Sequence, residues 1–333
     1  MSDLYAELMK SEPGHIDQRE LARVLDRQWG LGPAGLRYLP VGFGDYHWEL
    51  TDGGGGRWFV TVAGLAGGWR GTGPEAGYAD LRAAMETVIA LGRAGLEFAV
   101  APVLTAGGQA LVRLGQEHAV TVFPYLDGAS AGFGDELSDA DRRALIGILA
   151  RLHGATPLAR PTAPVRGPGL ASRSALEAAL GELGQPWGGG PYSEPARQLL
   201  ARQAPRVGTA LARFDELVRE AARSGPAVVT HGEPHPGNLV RGAGQLLVID
   251  WDTVGLAQPE RDLWMVAGDG TCDTELYTEL SGRQVSDAAM DMYRLRWRLD
   301  DIGLFLGDFR GPHEQDGDTE EAWEGFTEEM AEL

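Results

Sequence analysis

The segment THGEPHPGNLVRGAGQLLVIDWD, residues 230–252, joins a polar, proline-rich cluster to two apolar stretches separated by glycines. His231 and His235 are four residues apart, a spacing that on a helix would place two zinc ligands on one face. Pro234 and Pro236 flank His235, and each proline disfavours helical backbone at the residue before it. We therefore expect a loop in this cluster and no helical zinc site.

The second half of the segment predicts a β-hairpin. The apolar stretches on either side of RGAG read as two strands, with the turn at Arg241–Gly244. Antiparallel pairing then brings Asn238 alongside Asp250 at the open end, with Glu233 close by. Amide and carboxylate oxygens suit Mg²⁺, which usually shares its shell with substrate phosphates. Glu233, Asn238 and Asp250 are therefore candidate catalytic residues for phosphoryl transfer, with Asn238 and Asp250 as metal ligands.

The composition is that of an acidic globular protein. The 333 residues are 43% hydrophobic and carry a formal net charge of −19. This charge argues against nucleic acid or an anionic membrane as a partner, and it is compatible with a cationic small-molecule substrate. No apolar run approaches the roughly 18 residues of a membrane span, no secretion signal is recognisable, and the single cysteine, Cys272, fits a reducing compartment. We expect a cytoplasmic protein, either a monomer or a homodimer.

The order of the predicted elements indicates an α+β chain. Two strands around the glycine run Gly53–Gly56, a helix over residues 74–96 and three short strands reaching residue 126 follow one another in that order. Helical patterns, beginning with residues 138–155, dominate the rest. We predict a small β-rich N-lobe with a five-stranded sheet and one helix, an inter-lobe linker and a larger, mainly helical C-lobe, over residues 1–122, 123–128 and 129–333.

Three motifs in the second half resemble those of one family of enzymes. HGEPHPGN (231–238), VIDWD (248–252) and PERDLW (259–264) are similar to the motifs of the aminoglycoside phosphotransferase and choline kinase group, small-molecule kinases with a protein-kinase-like two-lobe fold. The resemblance covers most of the chain, including the linker VFPYLDG (122–128). Residues 292–309 look most like those of spectinomycin phosphotransferases within that group.

The resemblance implies a role for each residue of the central motif. Glu233 stands where the family has the catalytic-loop aspartate, the proposed base. Asn238 matches the loop asparagine, and Asp250 matches the aspartate that binds the Mg²⁺ bridging the nucleotide phosphates. Asp252 would support the metal or the substrate hydroxyl. Structural roles are implied for the other polar and aromatic residues of the motifs: His231, His235, Trp251 and Asp262.

The resemblance also implies where nucleotide and substrate bind. The cofactors would be ATP, with GTP left open, and Mg²⁺. Residues of GFGDYH (42–47) would cover the phosphates, and the linker would border the adenine through its backbone amide and carbonyl groups. The implied nucleotide contacts are Gly42, Gly44, Asp45, Thr61, Phe123, Pro124, Tyr125 and Leu126. The implied substrate contacts are Asp252, Trp297, Asp300 and Asp301.

The chain departs from the family pattern in two places. Glu233 replaces an aspartate, so the carboxylate moves by about 1.5 Å at most. Thr61 occupies the position on the third strand where such kinases usually carry a phosphate-binding lysine, and Lys10 is the only lysine among 29 Lys and Arg residues. Either Arg57 or Arg70 substitutes for that lysine, or Mg²⁺ and backbone amides neutralise the phosphates alone.

The sequence therefore predicts a kinase that phosphorylates a hydroxyl of an aminoglycoside or aminocyclitol antibiotic, spectinomycin-like or hygromycin-like, in resistance or self-protection. Two alternatives stay open. One is a kinase of a metabolic alcohol such as choline, a sugar or homoserine. The other is a pseudokinase that binds nucleotide or antibiotic without turnover.

Overall fold

The computed structural model describes residues 12–42, 44–66, 73–132, 134–242, 244–268 and 271–333. Its first elements are α1 (Gln18–Trp29), β1 (Pro33–Leu39), β2 (Asp45–Asp52), β3 (Arg57–Gly64), α2 (Pro74–Arg93), β4 (Val112–Leu114), β5 (His118–Pro124), β6 (Ala129–Ser130), α3 (Asp139–Gly154) and α4 (Thr156–Ala159). They are followed by α5 (Arg173–Gly181), α6 (Ser193–Ala221), β7 (Val228–Thr230), β8 (Leu239–Gly242), β9 (Gln245–Val248), β10 (Gly255–Ala257), α7 (Glu260–Val266), α8 (Cys272–Ser281), α9 (Asp287–Arg310) and α10 (Gly317–Glu332). The α+β class predicted from the sequence is confirmed.

The N-terminal sheet has five antiparallel strands in the order β1-β2-β3-β5-β4. Its strand number is as predicted, but the order along the chain is not, because three strands precede α2 and two follow it. Pro40 and the glycines at 42 and 44, both with positive φ, interrupt the first apolar stretch and divide it into β1 and β2. The predicted strand at 98–105 is irregular backbone apart from one bridge at Ala99, and Pro102 within it has no N–H for a ladder.

One face of this sheet packs against α1, and the other is turned away from it. Successive residues of a strand point to opposite faces, and Val60 and Val62 of β3 are fully buried in a cluster with residues of α1. In α1, Leu21, Val24 and Leu25 supply the buried stripe at helical spacing. Thr61, between the two valines, therefore lies on the face turned away from α1.

The chain divides into two compact units. Unit 1 comprises Met1–Arg166 and Ala227–Arg283, and unit 2 comprises Gly167–Pro226 and Gln284–Leu333. Unit 1 thus holds the five-stranded sheet together with β7 to β10, and unit 2 holds α5, α6, α9 and α10. This division groups the chain differently from the predicted lobes and does not test the linker at 123–128, which stays a prediction.

Unit 1 also contains two small sheets, β10-β7 and β6-β8-β9. The pairing of β8 with β9 is antiparallel, with Leu239 opposite Val248 and Gly242 opposite Gln245. The hairpin predicted from the sequence is therefore present, and its strands continue further toward the turn than expected. None of the helices in the described ranges is long and apolar enough to span a membrane.

Candidate active site

A buried carboxylate holds the loop that follows β7. Asp262, in the first turn of α7, accepts hydrogen bonds from the backbone N–H of His231 at 2.9 Å (Oδ2) and of Gly232 at 2.6 Å (Oδ1). His153 of α3 lies with Nε2 2.9 Å from the same Oδ2, and Tyr277 lies with its hydroxyl 2.7 Å from Nδ1 of His153. Burial alone would raise the pKa of the Asp262 carboxyl, but the hydrogen bond from His153 keeps the pKa below its ordinary value. The loop is thus fixed by an ionised, fully buried aspartate.

His231 connects the two segments that carry the candidate catalytic residues. Its Nε2 donates to the carbonyl of Ile249 at 2.8 Å, and its Nδ1 accepts from the backbone N–H of Glu233 at 3.2 Å. This pattern requires the neutral Nε2–H tautomer, which agrees with a pKa lowered by burial. The Thr253 hydroxyl donates to the backbone carbonyl of His231 at 2.9 Å. One imidazole therefore sets the spacing between the Glu233 backbone and the residue preceding Asp250.

The close packing of this loop requires glycine at position 232. Gly232 has φ +110°, and a Cβ on it would lie 2.3 Å from Nη2 of Arg261 and 2.5 Å from Oγ1 of Thr253. The Arg261 guanidinium donates to Oγ1 of Thr230 at 2.9 Å and to the carbonyl of Thr253 at 3.0 Å. Arg261, His153 and Thr253 were not singled out from the sequence. Arg261 lies in the motif PERDLW, and His153 lies near the end of α3, but only the folded loop shows their partners.

Asn238 is oriented by the loop itself. Its Nδ2 donates to the carbonyl of Glu233 at 2.9 Å and lies 3.1 Å from Nε2 of His235. Burial, and then the neighbouring His231, lowers the pKa of His235 to about 3, so this imidazole is neutral near pH 7 and can accept the bond. Because both contacts use Nδ2, the amide oxygen Oδ1 is the end that remains for a cation.

Asp250 lies two residues beyond β9 and follows Ile249, the residue opposite Asn238. The backbone N–H of Ile249 donates to the carbonyl of Asn238 at 3.0 Å, which extends the hairpin register by one pair. Asp250 has φ +59°, and among the described residues it is the one non-glycine with positive φ. An aspartate in this conformation costs about 1 kcal/mol, and such strain is concentrated at functional sites. Trp251 fixes the bend, since its Nε1 donates to Val248 O at 2.8 Å.

The donor set suits a hard cation with few protein ligands. The side chain of Asp250 is exposed, Glu233 is half-buried, and Asn238 presents an amide oxygen. Within the described ranges, no three or more His, Cys, Asp or Glu side chains are grouped to hold a metal. Mg²⁺ commonly binds through one or two protein oxygens together with water and substrate phosphates. Asn238 and Asp250 fit that pattern and would not hold a closed zinc centre.

The sheet face turned away from α1 carries the predicted phosphate-contacting residues. Gly42 and Gly44, in the loop before β2, have φ of +78° and +86°. Asp45 is the first residue of β2, and it is buried. Thr61 lies in the middle of β3, with its Oγ1 3.2 Å from Nδ1 of His47 on β2. A Cβ on Gly42 would lie 3.1 Å from Nε2 of His47, so the glycine loop rests on this histidine.

Of the two arginines proposed to replace the lysine, Arg57 is engaged elsewhere and Arg70 lies outside the described residues, as does Lys10. The Arg57 guanidinium forms ion pairs at 2.7 Å with both Glu49 and Asp127 and lies 3.7 Å above the ring of Tyr125. The hydrogen bond from Arg57 lowers the pKa of the Glu49 carboxyl. Arg57 thus belongs to the end of β3 next to the predicted linker, roughly 13 Å along the strand from Thr61.

The residues predicted to border the adenine lie at the same end of β3 and β5 as Arg57. Phe123 and Pro124 are the last residues of β5, opposite Phe59 and Trp58 of β3. The backbone N–H of Tyr125 donates to the carbonyl of Arg57 at 3.4 Å. The side chains of Tyr125 and Leu126, which follow, are half-buried.

The predicted substrate contacts fall in both compact units. Asp252 is in unit 1, whereas Trp297, Asp300 and Asp301 lie on α9 in unit 2. Asp300 accepts hydrogen bonds at Oδ1 from the N–H and hydroxyl of Ser172, at 2.9 and 3.0 Å, and its Oδ2 accepts from Arg296 at 3.3 Å. Oδ1 of Asp300 therefore braces the start of α5, whereas Oδ2 pairs with Arg296 within α9 itself. Trp297 and Asp301 are half-buried.

Comparisons with known proteins identify the family and the fold of this chain. The profile of the APH phosphotransferase enzyme family matches residues 35–297. No curated protein matches the chain. Among solved structures, a spectinomycin phosphotransferase bound to ADP and spectinomycin is 15% identical, with 94% of each chain covered and a TM-score of 0.73.

Two further solved structures share the fold. An amicoumacin kinase bound to AMP-PNP and Ca²⁺ is 15% identical, covering 96% of this chain and 94% of its own, with a TM-score of 0.61. A choline kinase from Streptococcus pneumoniae is 13% identical, covering 95% and 99%, with a TM-score of 0.56. The protein-kinase-like fold predicted from the motifs is thereby confirmed. The chain belongs to the phosphotransferase enzyme family.

Proposed function

We propose that the protein transfers the γ-phosphate of ATP to a hydroxyl of an aminoglycoside or aminocyclitol antibiotic, spectinomycin-like or hygromycin-like, in resistance or self-protection. The observation that supports the proposal is the junction of the loop after β7 with the end of β9. His231 contacts the carbonyl of Ile249, the residue before Asp250, and Asn238 contacts the carbonyl of Glu233.

In this mechanism the loop after β7 and the end of β9 hold the metal and the acceptor hydroxyl. Mg²⁺, when bound with the nucleotide, would offset the charge developing on the phosphates. Asp250 and the Oδ1 of Asn238 would hold the cation, and Asp252 would support it or the acceptor. Glu233 would align the acceptor hydroxyl and take its proton at a carboxylate oxygen. The transition state is loose and depends more on alignment than on base strength, so the extra methylene of a glutamate is compatible with the reaction.

The choice of a cationic acceptor rests on charge. The chain carries 48 Asp and Glu against 29 Lys and Arg, and an acidic field favours the approach of a polyamine. The spectinomycin phosphotransferase with the similar fold was solved with its antibiotic. The proposal places the enzyme in the cytoplasm, where ATP is available and where the exposed thiol of Cys272 stays reduced.

A second candidate is a kinase of a metabolic alcohol. The similarity in fold to a choline kinase over 95% of this chain favours it, and choline is also a cation. The two candidates differ in the size and hydroxyl pattern of the acceptor, which fold alone does not determine.

An ATP-consumption assay with Mg²⁺ against aminoglycosides, aminocyclitols, choline and simple sugars tests the proposal. The expected result is turnover with an aminocyclitol or aminoglycoside, and a phosphorylated product detected by mass spectrometry. Turnover confined to choline or a sugar would establish the second candidate. Nucleotide binding without turnover on any acceptor would identify a pseudokinase.

A further inference from the structure

Arg166 lies at the end of the proline-rich segment after α4, and its guanidinium contacts the residues that follow Asp250. Its Nε donates to the carbonyls of Thr253 and Val254, each at 3.3 Å, and its Nη2 donates to the carbonyl of Asp252 at 3.4 Å. One planar group thus binds three consecutive carbonyls through a rigid fork that the compact ammonium of a lysine does not reproduce.

The backbone around Arg166 is anchored to the same part of the chain. Its N–H donates to the carbonyl of Leu256 at 2.9 Å, and the N–H of Leu256 donates to Pro164 O at 2.7 Å. A Cβ at Gly255 would lie 2.5 Å from the Cγ of Arg166, so this close approach requires a glycine. The backbone of Arg166 and the carbonyls that its guanidinium binds are therefore held in place by the same hydrogen bonds.

The remaining arm of the guanidinium reaches the helix of the N-terminal sheet. Nη1 of Arg166 donates to Oδ1 of Asp80 on α2 at 2.8 Å, and the two side chains are only 15% and 20% exposed. Oδ2 of Asp80 is buried without a hydrogen-bond partner among the described residues. Removing the arginine would leave this carboxylate uncompensated, which is strongly unfavourable for a buried group.

Helix α2 is in turn tied to β3. A Cβ on Gly77 of α2 would lie 2.2 Å from the carbonyl oxygen of Leu65, the residue after β3. In protein kinases the corresponding helix is coupled to the nucleotide by a glutamate that pairs with the lysine of the third strand. This chain has Thr61 on β3 instead, and α2 pairs with Arg166.

We propose that Arg166 is a positioning residue that couples α2 to residues 252–254 and so holds Asp250 in place relative to the nucleotide-bearing sheet. This inference rests on the proposed function, because it assigns metal binding to Asp250. Arg166 performs no chemistry. Its effect is expected on the affinity for Mg²⁺ and on nucleotide affinity in the presence of Mg²⁺, and only a small effect is expected on nucleotide affinity without the metal.

The test compares Arg166→Ala, Arg166→Lys and Asp80→Asn with the full-length parent. Calorimetric titration of ADP with and without Mg²⁺ is the primary readout, since it requires no acceptor. Loss of an outer-shell partner lowers metal affinity roughly 10- to 100-fold, so we expect the half-saturating Mg²⁺ concentration to rise by that factor in Arg166→Ala. Arg166→Lys should recover little of this loss, and millimolar guanidinium ion should restore part of it in Arg166→Ala.

The matched control is Arg197→Ala. Arg197 is 21% exposed and forms an ion pair with Glu194 in unit 2, whereas Arg166 and Asp80 belong to unit 1. Both alanine variants should lower the melting temperature, but only Arg166→Ala should change the Mg²⁺ dependence. Should Arg166→Ala be too unstable to purify, Asp80→Asn tests the same coupling with a nearly isosteric change.

Two results would overturn the inference in different ways. In the first, Arg166→Ala and Asp80→Asn keep the parental Mg²⁺ dependence, as Arg197→Ala should. The pair of Arg166 and Asp80 would then be a structural contact only, and the proposed function would stand. A parent protein whose nucleotide binding ignores Mg²⁺ would overturn the assignment of Asp250, and the proposed function together with it.

Discussion

The segment from β7 to α7 and the face of the N-terminal sheet turned away from α1 are built differently. In the segment, Asp262, His231 and Gly232 are buried. The backbone N–H groups of His231 and Gly232 donate to the Asp262 carboxylate at 2.9 and 2.6 Å. On the sheet face, His47 and Thr61 are half-buried and share one contact of 3.2 Å. The chain therefore fixes the loop that carries the candidate base and metal ligands tightly, whereas the sequence has no lysine in the strands of its sheet. Under the proposed function, the charge of the phosphates would be offset mainly from the metal side.

The largest expected effect is the loss of the Asp250 charge. Asn tolerates positive φ as Asp does, so Asp250→Asn keeps the bend and removes only the anionic ligand. We expect kcat to fall by at least about 10³-fold, because the developing phosphate charge loses its metal. Steady-state kinetics over a Mg²⁺ series is the measurement, with circular dichroism as the check of folding. A variant with a tenth of the parental kcat and unchanged Mg²⁺ dependence would contradict the comparison.

The second largest effect is expected at Glu233. Glu233→Gln removes the proton acceptor while keeping the backbone contact to His231, and we expect kcat to fall roughly 100-fold with little change in the KM for ATP. Glu233→Asp should retain part of the rate, since the carboxylate retreats by about 1.5 Å only. If Glu233→Ala turned over at the parental rate, the assignment of the base would be wrong.

The buried imidazoles of the segment predict a pH-dependent stability. The folded-state pKa of His235 is about 3, below the value of about 6.5 in an unfolded chain. Between these values the unfolded chain binds the proton first, so stability is fully present above about pH 6.5 and is lost as the pH falls. His235 contributes a slope of roughly 1.4 kcal/mol per pH unit in that window.

The variant His235→Gln keeps an acceptor for Asn238 but does not titrate. Urea denaturation at pH 7.5 and pH 5.0 should show a smaller loss of unfolding free energy in this variant than in the parent. An equal loss in both proteins would assign the acid sensitivity to other groups, with His231 as the next to replace.

The smallest effect is expected on the sheet. His47→Ala should raise the KM for ATP about fivefold, the equivalent of about 1 kcal/mol for one hydrogen-bonding contact, with kcat nearly unchanged. His15→Ala is the control, because His15 packs against Tyr46 of the same strand on the opposite face. A large fall in kcat for His47→Ala would show that the sheet takes part in phosphate handling beyond binding, and the contrast between the two regions would fail.

Sequence reasoning was most accurate where local chemistry decides the structure. The prolines around His235 argued against a helix, and the apolar stretches around RGAG predicted a hairpin with Asn238 alongside Asp250. The hairpin is present, and its register places Asn238 opposite Ile249, the residue before Asp250. The five strands followed from alternation and glycine runs, but their order was wrong, because one apolar stretch was broken by Pro40 and another, at 98–105, was not paired.

Long-range partners could not be predicted in the same way. The contact between His153 and Asp262 joins residues 109 positions apart, and no local pattern announces it. Asp300 stays a predicted substrate contact, and its hydrogen bonds to Ser172 and Arg296 could not be foreseen from the sequence. The contact with Ser172 follows the general rule that a carboxylate near a helix start accepts from free N–H groups. Arg166 was not singled out, since its role depends on carbonyls that only the fold brings together.

Thr61 on β3 has a practical consequence for detecting this protein. Nucleotide analogues that carry an amine-reactive electrophile report a kinase by acylating the lysine beside the bound phosphates. Here that strand position presents a hydroxyl, and the sequence contains no lysine beyond residue 10. Surveys that rely on such reagents would overlook an active enzyme of this kind, whereas labelled ATP consumption or thermal shift with nucleotide would register it.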